Sequence, residues 1–191
     1  QLETKRITFI DGPAQDVTVA GHTVFWIEAA AGPPRLHSYD VPTAKRTDYT
    51  FRPYLTSPTN PNPIDNLNFH VSTSVIATMN ELDGANLYAL GSPSQHLGKL
   101  VLPAPPYGQR WWAYSVSGGE LYVVVIEDDN KHHVKKWAPG ATSMQDVAVL
   151  DDLIAPNVLG EFHDFAVSGS TLIFDEGFRI WVAELGAPRA K

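Results

Sequence analysis

The sequence predicts an all-β protein in which one unit of about four strands is repeated four times. Short runs rich in Val, Ile, Tyr, Phe and Trp alternate apolar with polar residues, which is the pattern of half-buried strands. Gly, Pro, Asn and Asp separate these runs, as is typical of tight turns between strands. One short phrase also recurs at nearly constant spacing, close to the period of about 40–50 residues expected for a four-stranded unit.

The recurring phrase is an alternating strand that ends in Val, a small residue and a turn. Its copies are Asp16-Val17-Thr18-Val19-Ala20-Gly21, Asn68-Phe69-His70-Val71-Ser72-Thr73, Ala113-Tyr114-Ser115-Val116-Ser117-Gly118 and Asp164-Phe165-Ala166-Val167-Ser168-Gly169. The last valines of the four copies, at 19, 71, 116 and 167, are 52, 45 and 51 residues apart. This spacing predicts that each phrase opens a new repeat unit.

Further strands follow each phrase in the same order. The predicted second strands are residues 24–28, 75–80, 121–127 and 172–175; the third strands are 36–41, 87–91, 134–138 and 180–185; the fourth strands are 47–51, 99–102 and 146–149. The units therefore extend over about residues 16–55, 66–103, 111–150 and 162–185. We find no segment with a clear helical period, apart from a single turn near residues 151–154.

The last unit has three predicted strands, and its missing fourth strand is found at the start of the chain. Residues 5–9, within a segment of about 4–10, match the other fourth strands in length and alternation. A strand from one terminus that completes the last unit closes a ring and removes exposed sheet edges. The sequence therefore predicts one domain, a four-bladed β-propeller closed by its N-terminal strand.

The third copy of the phrase continues as Val116-Ser117-Gly118-Gly119-Glu120-Leu121-Tyr122. This copy has the pattern Val-x-Gly-x-x-Leu-Tyr, which is found in the propeller blades of many bacterial proteins. By this pattern the chain resembles the β-propeller superfamily. The resemblance covers about the whole chain at the level of the blade, and it implies a four-bladed architecture similar to that of hemopexin-like domains. The sequence signatures of those domains are absent, so the resemblance implies no functional residue. The alternative architecture is a fragment of a larger propeller.

Composition excludes several classes of function. The net charge of −7 over 191 residues disfavours nucleic acid and anionic membrane surfaces as partners. Because no apolar run approaches about 20 residues, membrane insertion is not expected. With no cysteine, disulfides, thiolate nucleophiles and Cys-ligated zinc are excluded. The chain begins with Gln rather than Met, so an upstream segment was removed or lies outside the sequence, and we expect an extracellular or periplasmic location.

Acidic residues recur in the loops that follow the second strands. The predicted ligand-binding set on this face is Glu28, Glu81, Glu127 and Glu176. At the heads of the inner strands, Asp16, Asn68 and Asp164 are expected near the mouth of the central channel. Carboxylate and amide oxygens suit Ca²⁺, so calcium is the candidate cofactor. The alternative is that these are ordinary turn and strand-end residues that keep the surface soluble.

Two further groups are candidate binding residues. Trp111 and Trp112 follow a Pro-rich loop that ends with Tyr107 and Arg110, and aromatic rings beside polar groups are typical of sugar-binding surfaces. His163 at the head of an inner strand is the candidate for acid–base work. Simple packing is the alternative for both groups.

No nucleophile elbow, phosphate loop or metalloprotease motif is present in the sequence. A non-catalytic, lectin-like recognition module that binds a glycan or a protein through the acidic loop face is therefore the predicted function. The alternative is an enzyme, such as a metal-assisted lyase or hydrolase, with its site at the channel mouth.

Overall fold

The computed structural model describes residues 14–28, 35–50, 68–80, 84–91, 94–101, 113–154, 162, 164–176 and 179–185. Blade 1 contains β1 (Ala14–Ala20), β2 (Thr23–Glu28), β3 (Arg35–Asp40) and β4 (Lys45–Thr50). Blade 2 contains β5 (Asn68–Val71), β6 (Val75–Asn80), β7 (Gly84–Ala89) and β8 (Gln95–Leu100). Blade 3 contains β9 (Tyr114–Ser117), β10 (Glu120–Ile126), β11 (His132–Trp137) and β12 (Gln145–Val149). Blade 4 contains β13 (Phe165–Ser168), β14 (Thr171–Glu176) and β15 (Arg179–Glu184).

Each blade is an antiparallel sheet whose strands pair in chain order. The first strands lie innermost, with β1 beside β5, β5 beside β9 and β9 beside β13. This arrangement confirms the predicted all-β fold of four propeller blades. The only helical element in the described ranges is a short 3-10 turn at Leu150–Asp152. None of the described helical structure is long and apolar enough to span a membrane.

The predicted strands agree with the structure to within a few residues. The largest shift is at β8, which begins at Gln95 rather than at residue 99. A register irregularity between Leu87 and Tyr88 of β7 allows this earlier start. The closing strand predicted at residues 5–9 lies outside the described residues, as do the predicted blade limits near residues 55, 66, 103 and 111. Closure of the ring by that strand stays a prediction.

Tight turns between first and second strands set the register of the blades. In blade 1, Ala20 pairs with Thr23, so a two-residue turn joins β1 to β2. Gly21 in this turn has a φ of 61°, a left-handed conformation that glycine adopts without the clash of a Cβ atom. Gly118 and Gly169 have φ values of 59° and 60°, so the three copies of the phrase that end in glycine do so for the same backbone reason.

Three apolar cores fill the spaces between consecutive blades. Blades 1 and 2 enclose a core that includes Leu36 and Ile76, and blades 2 and 3 enclose one that includes Leu87 and Val123. Blades 3 and 4 enclose the third, in which the buried Leu172 contributes. Because strands alternate their side chains, blades 2 and 3 each contribute one face to the core before them and the other face to the core after them.

Candidate functional site

A cavity of about 280 Å³ lies at the point where the inner strands end. All four blades contribute to it. Its polar lining residues are Thr18, His70, Ser72, Thr73, Ser115, Ser117 and Ser168. These residues alternate with, or follow, the valines of the recurring phrase. Alternation therefore places Ser115 and His70 on the opposite sheet face from the valines, the face that borders the following blade.

Two serines of β9 bind the backbone of the neighbouring blade. Ser115 Oγ accepts a hydrogen bond of 3.1 Å from the Val167 N–H, and Ser117 Oγ accepts one of 3.0 Å from the Gly169 N–H. An inner strand is an edge strand, and the N–H groups that face its neighbour otherwise lack partners in the sheet. The two hydroxyls therefore tie blade 3 to blade 4 and shape the wall of the cavity.

In blade 2 the cavity serine binds the backbone of its own blade. Ser72 Oγ accepts a 3.2 Å hydrogen bond from the Val75 N–H, within the turn that joins β5 to β6. Near it, the ring of His70 packs against the ring of Tyr114, with centroids 4.4 Å apart and a tilt of 56°. Among the described lining residues, His70 is the one side chain with a titratable group near neutral pH.

The acidic residue Glu28 of the predicted ligand set lies in an internal ion-pair network. His37 Nε2 is 2.9 Å from Glu28 Oε2, and His37 Nδ1 is 2.6 Å from Asp48 Oδ1. Arg46 Nη2 also lies 3.2 Å from His37 Nδ1, so both ring nitrogens of the imidazole have polar partners. The imidazole is buried and stacks on Trp26, and Arg46 binds Asp48 at 2.8 Å. Hydrogen bonds from Arg46 and His37 lower the pKa of Asp48.

Glu127 lies in a second network, in blade 3. Lys135 Nζ is 2.7 Å from both Glu127 Oε1 and Asp146 Oδ1. His133 lies beside them, with Nδ1 3.4 Å from Glu127 and Nε2 3.1 Å from Asp129. The hydrogen bond from Lys135 lowers the pKa of Asp146. Although Glu127, His133 and Asp146 together resemble a metal-ligand set, the ammonium group of Lys135 already binds both carboxylates and offsets part of their charge.

Strand register relates the recurring glutamates to one another. Val24, Leu121 and Leu172 pair with the last valine of their own phrase, which aligns Glu28 with Glu176 and places Glu127 two residues further along. The three lie at the same end of their second strands. The side chain of Glu176 and the whole of Glu81 lie outside the described residues.

Among the described residues of this face, the hairpin tip of blade 3 is exposed. Glu127, Asp128 and Asp129 line an open recess of about 440 Å³. The N–H of Lys131 donates to Asp129 at 3.0 Å, and this bond lowers the pKa of that carboxyl. The tip is therefore held by its own turn hydrogen bonds, and it keeps negative charge at the surface.

The predicted calcium residues lie at the opposite end of the inner strands from the cavity. Asp164 Oδ1 accepts a 2.8 Å hydrogen bond from the Phe165 N–H, and Asp175 Oδ1 accepts one of 2.8 Å from the Asp164 N–H. This carboxylate therefore caps its own strand. The side chains of Asp16 and Asn68 lie outside the described residues, and calcium at this end stays a prediction.

The remaining predicted site residues, Tyr107, Arg110, Trp111, Trp112 and His163, also lie outside the described residues. The sequence reasoning passed over the serines of the cavity. Their signal was present, because a small polar residue alternates with valine in the phrase of blades 2, 3 and 4. The same alternation is typical of any half-buried strand, so this pattern does not by itself indicate a binding site.

No known protein family matches the sequence, and no curated protein matches it either. Among solved structures, the computationally designed Ika4 protein is similar with a TM-score of 0.46 and 10% identity, over 97% of this chain and 99% of that one. The N-terminal domain of Nup159 is similar with a TM-score of 0.34 and 12% identity over 95% of this chain. YCF48 bound to a D1 peptide is similar with a TM-score of 0.35 and 15% identity over 88% of this chain. This chain spans about half the length of these two proteins. The similarities are limited to the fold.

Proposed function

We propose that this protein is a non-catalytic recognition module that holds its ligand in the cavity at the end of the inner strands. The observation that carries the proposal is that three serine hydroxyls in the cavity each keep a proton to donate. Ser72, Ser115 and Ser117 each accept a backbone N–H, yet each hydroxyl still has one proton to donate. No described residue accepts these protons within hydrogen-bond distance. The cavity therefore offers donors to an entering ligand.

The lining chemistry selects the class of ligand. The described lining residues include no Asp, Glu, Lys or Arg, so the cavity gives no strong preference for a charged group. Donor hydroxyls on a fixed wall favour a neutral group rich in acceptor oxygens. Sugar hydroxyls and peptide carbonyls share this chemistry, which agrees with the glycan or protein ligand expected from the sequence.

The ion pairs of the acidic loops support a site in the cavity rather than on those loops. Glu28 and Glu127 are bound by His37 and Lys135, so a ligand at these residues would have to break existing bonds. Catalysis by a lyase or hydrolase needs positioned acid and base groups, and the described lining offers His70 as its single candidate. Recognition is therefore favoured over the enzymatic alternative.

The test is a glycan array and a peptide array probed with the wild-type protein and two variants. Ser168→Trp places a bulky ring at the exposed edge of the cavity, where the wild-type side chain makes no described hydrogen bond. Ser143→Trp adds the same ring in an exposed turn of blade 3 and is the matched control. We expect binding to be lost in the first variant and kept in the second, with equal melting temperatures.

The glycan array and the peptide array distinguish whether the ligand's oxygen atoms belong to a sugar or to a peptide. Binding that survives Ser168→Trp would place the ligand elsewhere, with the acidic hairpin tip and the predicted Trp111–Trp112 surface as the next sites to test. Conversion of a bound glycan or peptide into product, followed by mass spectrometry, would contradict a non-catalytic role.

A further inference from the structure

The two terminal blades each have a patch of exposed apolar side chains on one sheet face. Val17 and Val19 of β1 are 63% and 64% exposed, although side chains in strands of this kind normally face a core. On blade 4, Ile180 and Val182 of β15 are 76% and 68% exposed, and Ile173 of β14 is 42% exposed. Clustered exposed β-branched residues on sheet faces indicate an interaction surface rather than an ordinary surface.

Strand register shows what these residues do in the other blades. The positions equivalent to Val17 and Val19 are occupied by Phe69, Val71, Tyr114, Val116, Phe165 and Val167, and each of these is at most 7% exposed. The positions equivalent to Ile180 are occupied by Leu36, Ala85 and Val134, which are at most 1% exposed. In three places this pair of faces forms an inter-blade core.

The two exposed patches are therefore the two halves of one interface. Val17 and Val19 belong to the face of blade 1 that blades 2, 3 and 4 press against the preceding blade, although Trp26 on that same face is buried. Ile173, Ile180 and Val182 belong to the face of blade 4 that blades 1, 2 and 3 press against the following blade. Within the described residues, no apolar core joins blade 4 to blade 1. Each patch occupies the strand positions that, in the other blades, pack against the positions of the other patch.

A strand added at the edge of β15 does not cover these faces. Such a strand lies in the plane of the sheet, about 4.8 Å from its neighbour, whereas a covering layer lies about 10 Å above the face. An edge strand therefore leaves both patches uncovered, and only a blade face with the complementary pattern covers them. Another copy of this chain carries such a face on its blade 1 and on its blade 4.

We propose that two copies of this chain pack head to tail, with blade 4 of each copy against blade 1 of the other, and form a closed ring of eight blades. Two identical seams then bury Val17, Val19, Ile173, Ile180 and Val182 in both copies. A head-to-tail contact that closes after two copies leaves neither patch exposed, so further copies cannot add to form a filament.

The first test is the mass of the purified protein in solution by analytical ultracentrifugation over a range of concentrations. We expect twice the chain mass of 21.0 kDa. Two variants test the seam: Val17→Glu with Val19→Glu on blade 1, and Ile180→Lys with Val182→Lys on blade 4. Each variant alone is expected to be a monomer, because both of its seams carry buried like charges. Val101→Glu, at an exposed valine after β8, is the control and should stay dimeric.

The decisive experiment mixes the two variants in equal amounts. In a mixed pair one seam is wild type and the other places glutamates against lysines, so the dimer should return. Two outcomes overturn the proposal: a wild-type monomer at every concentration, or a dimer that the mixture fails to restore. A wild-type monomer that associates only after deletion of residues 1–13 would assign the faces to the N-terminal segment instead.

Discussion

His37 and Lys135 occupy the same position in blades 1 and 3. His37 pairs across the sheet with Asp48, and Lys135 pairs with Asp146, at the same register of their blades. Each of the two side chains also binds a glutamate from the end of the second strand, Glu28 at 2.9 Å and Glu127 at 2.7 Å. Polar pairs on facing strands stabilise a sheet, so Glu28 and Glu127 have a structural explanation.

Replacement of His37 should destabilise the protein. His37→Gln removes one of two charged hydrogen bonds at a buried site, and we expect the free energy of unfolding to fall by about 1–3 kcal/mol. The measurement is denaturant unfolding followed by circular dichroism. His22→Gln, in an exposed turn of the same blade, is the control, and an equal loss in both variants would show that the network contributes nothing.

Stability should decline in acid because the pKa of Asp48 is lowered from its ordinary value of 3.8 by hydrogen bonds from Arg46 and His37. A carboxyl with a lowered pKa in the folded state contributes its full stabilisation above the ordinary pKa. That contribution is lost as the pH falls through the lower folded value. Unfolding free energies measured below pH 3.8 should therefore drop, and Asp48→Asn should flatten the drop. An unchanged pH profile in Asp48→Asn would contradict the assignment, with exposed Asp128→Asn as the control.

Lys135 and Asp146 should be energetically coupled. In a double-mutant cycle with Lys135→Met and Asp146→Ala, we expect a coupling energy of about 0.5–1 kcal/mol, because the lysine side chain is largely buried but the aspartate is exposed. The pair Lys131 and Asp152, 2.8 Å apart, serves for comparison and should give a smaller value, because Lys131 is 42% exposed and Lys135 only 13%. Coupling that vanishes in both pairs would mean that solvent screens the blade 3 network completely.

Gly98 should not tolerate a side chain, because Trp137 lies against it. A Cβ atom at Gly98 would be 3.1 Å from the Trp137 ring, a tight contact that requires the ring to shift by a few tenths of an ångström. Gly98→Ala should lower the unfolding free energy by about 1–3 kcal/mol through overpacking. Trp137→Phe combined with Gly98→Ala should recover part of that loss relative to Trp137→Phe alone, since the smaller ring vacates the space. Failure of the pair to show such recovery would contradict a steric cause.

Local sequence patterns were sufficient to predict the strands and the four-blade arrangement. Apolar alternation assigns strands because successive side chains point to opposite faces, and the glycine of the phrase marks a turn that needs a positive φ. The alternation around Val71 and Val116 likewise indicated which residues face the cores. These properties depend on neighbours in the chain, so they can be read without the tertiary structure.

Tertiary structure alone decided which groups meet. The pairing of Glu28 with His37 depends on the register of two strands, and the packing of His70 against Tyr114 depends on the approach of two blades. The exposure of Val19 is the clearest case, because in the sequence it has the same setting as the buried Val71 and Val116. Their burial differs because burial is set by what lies opposite a face, and no blade within the described residues lies opposite Val19.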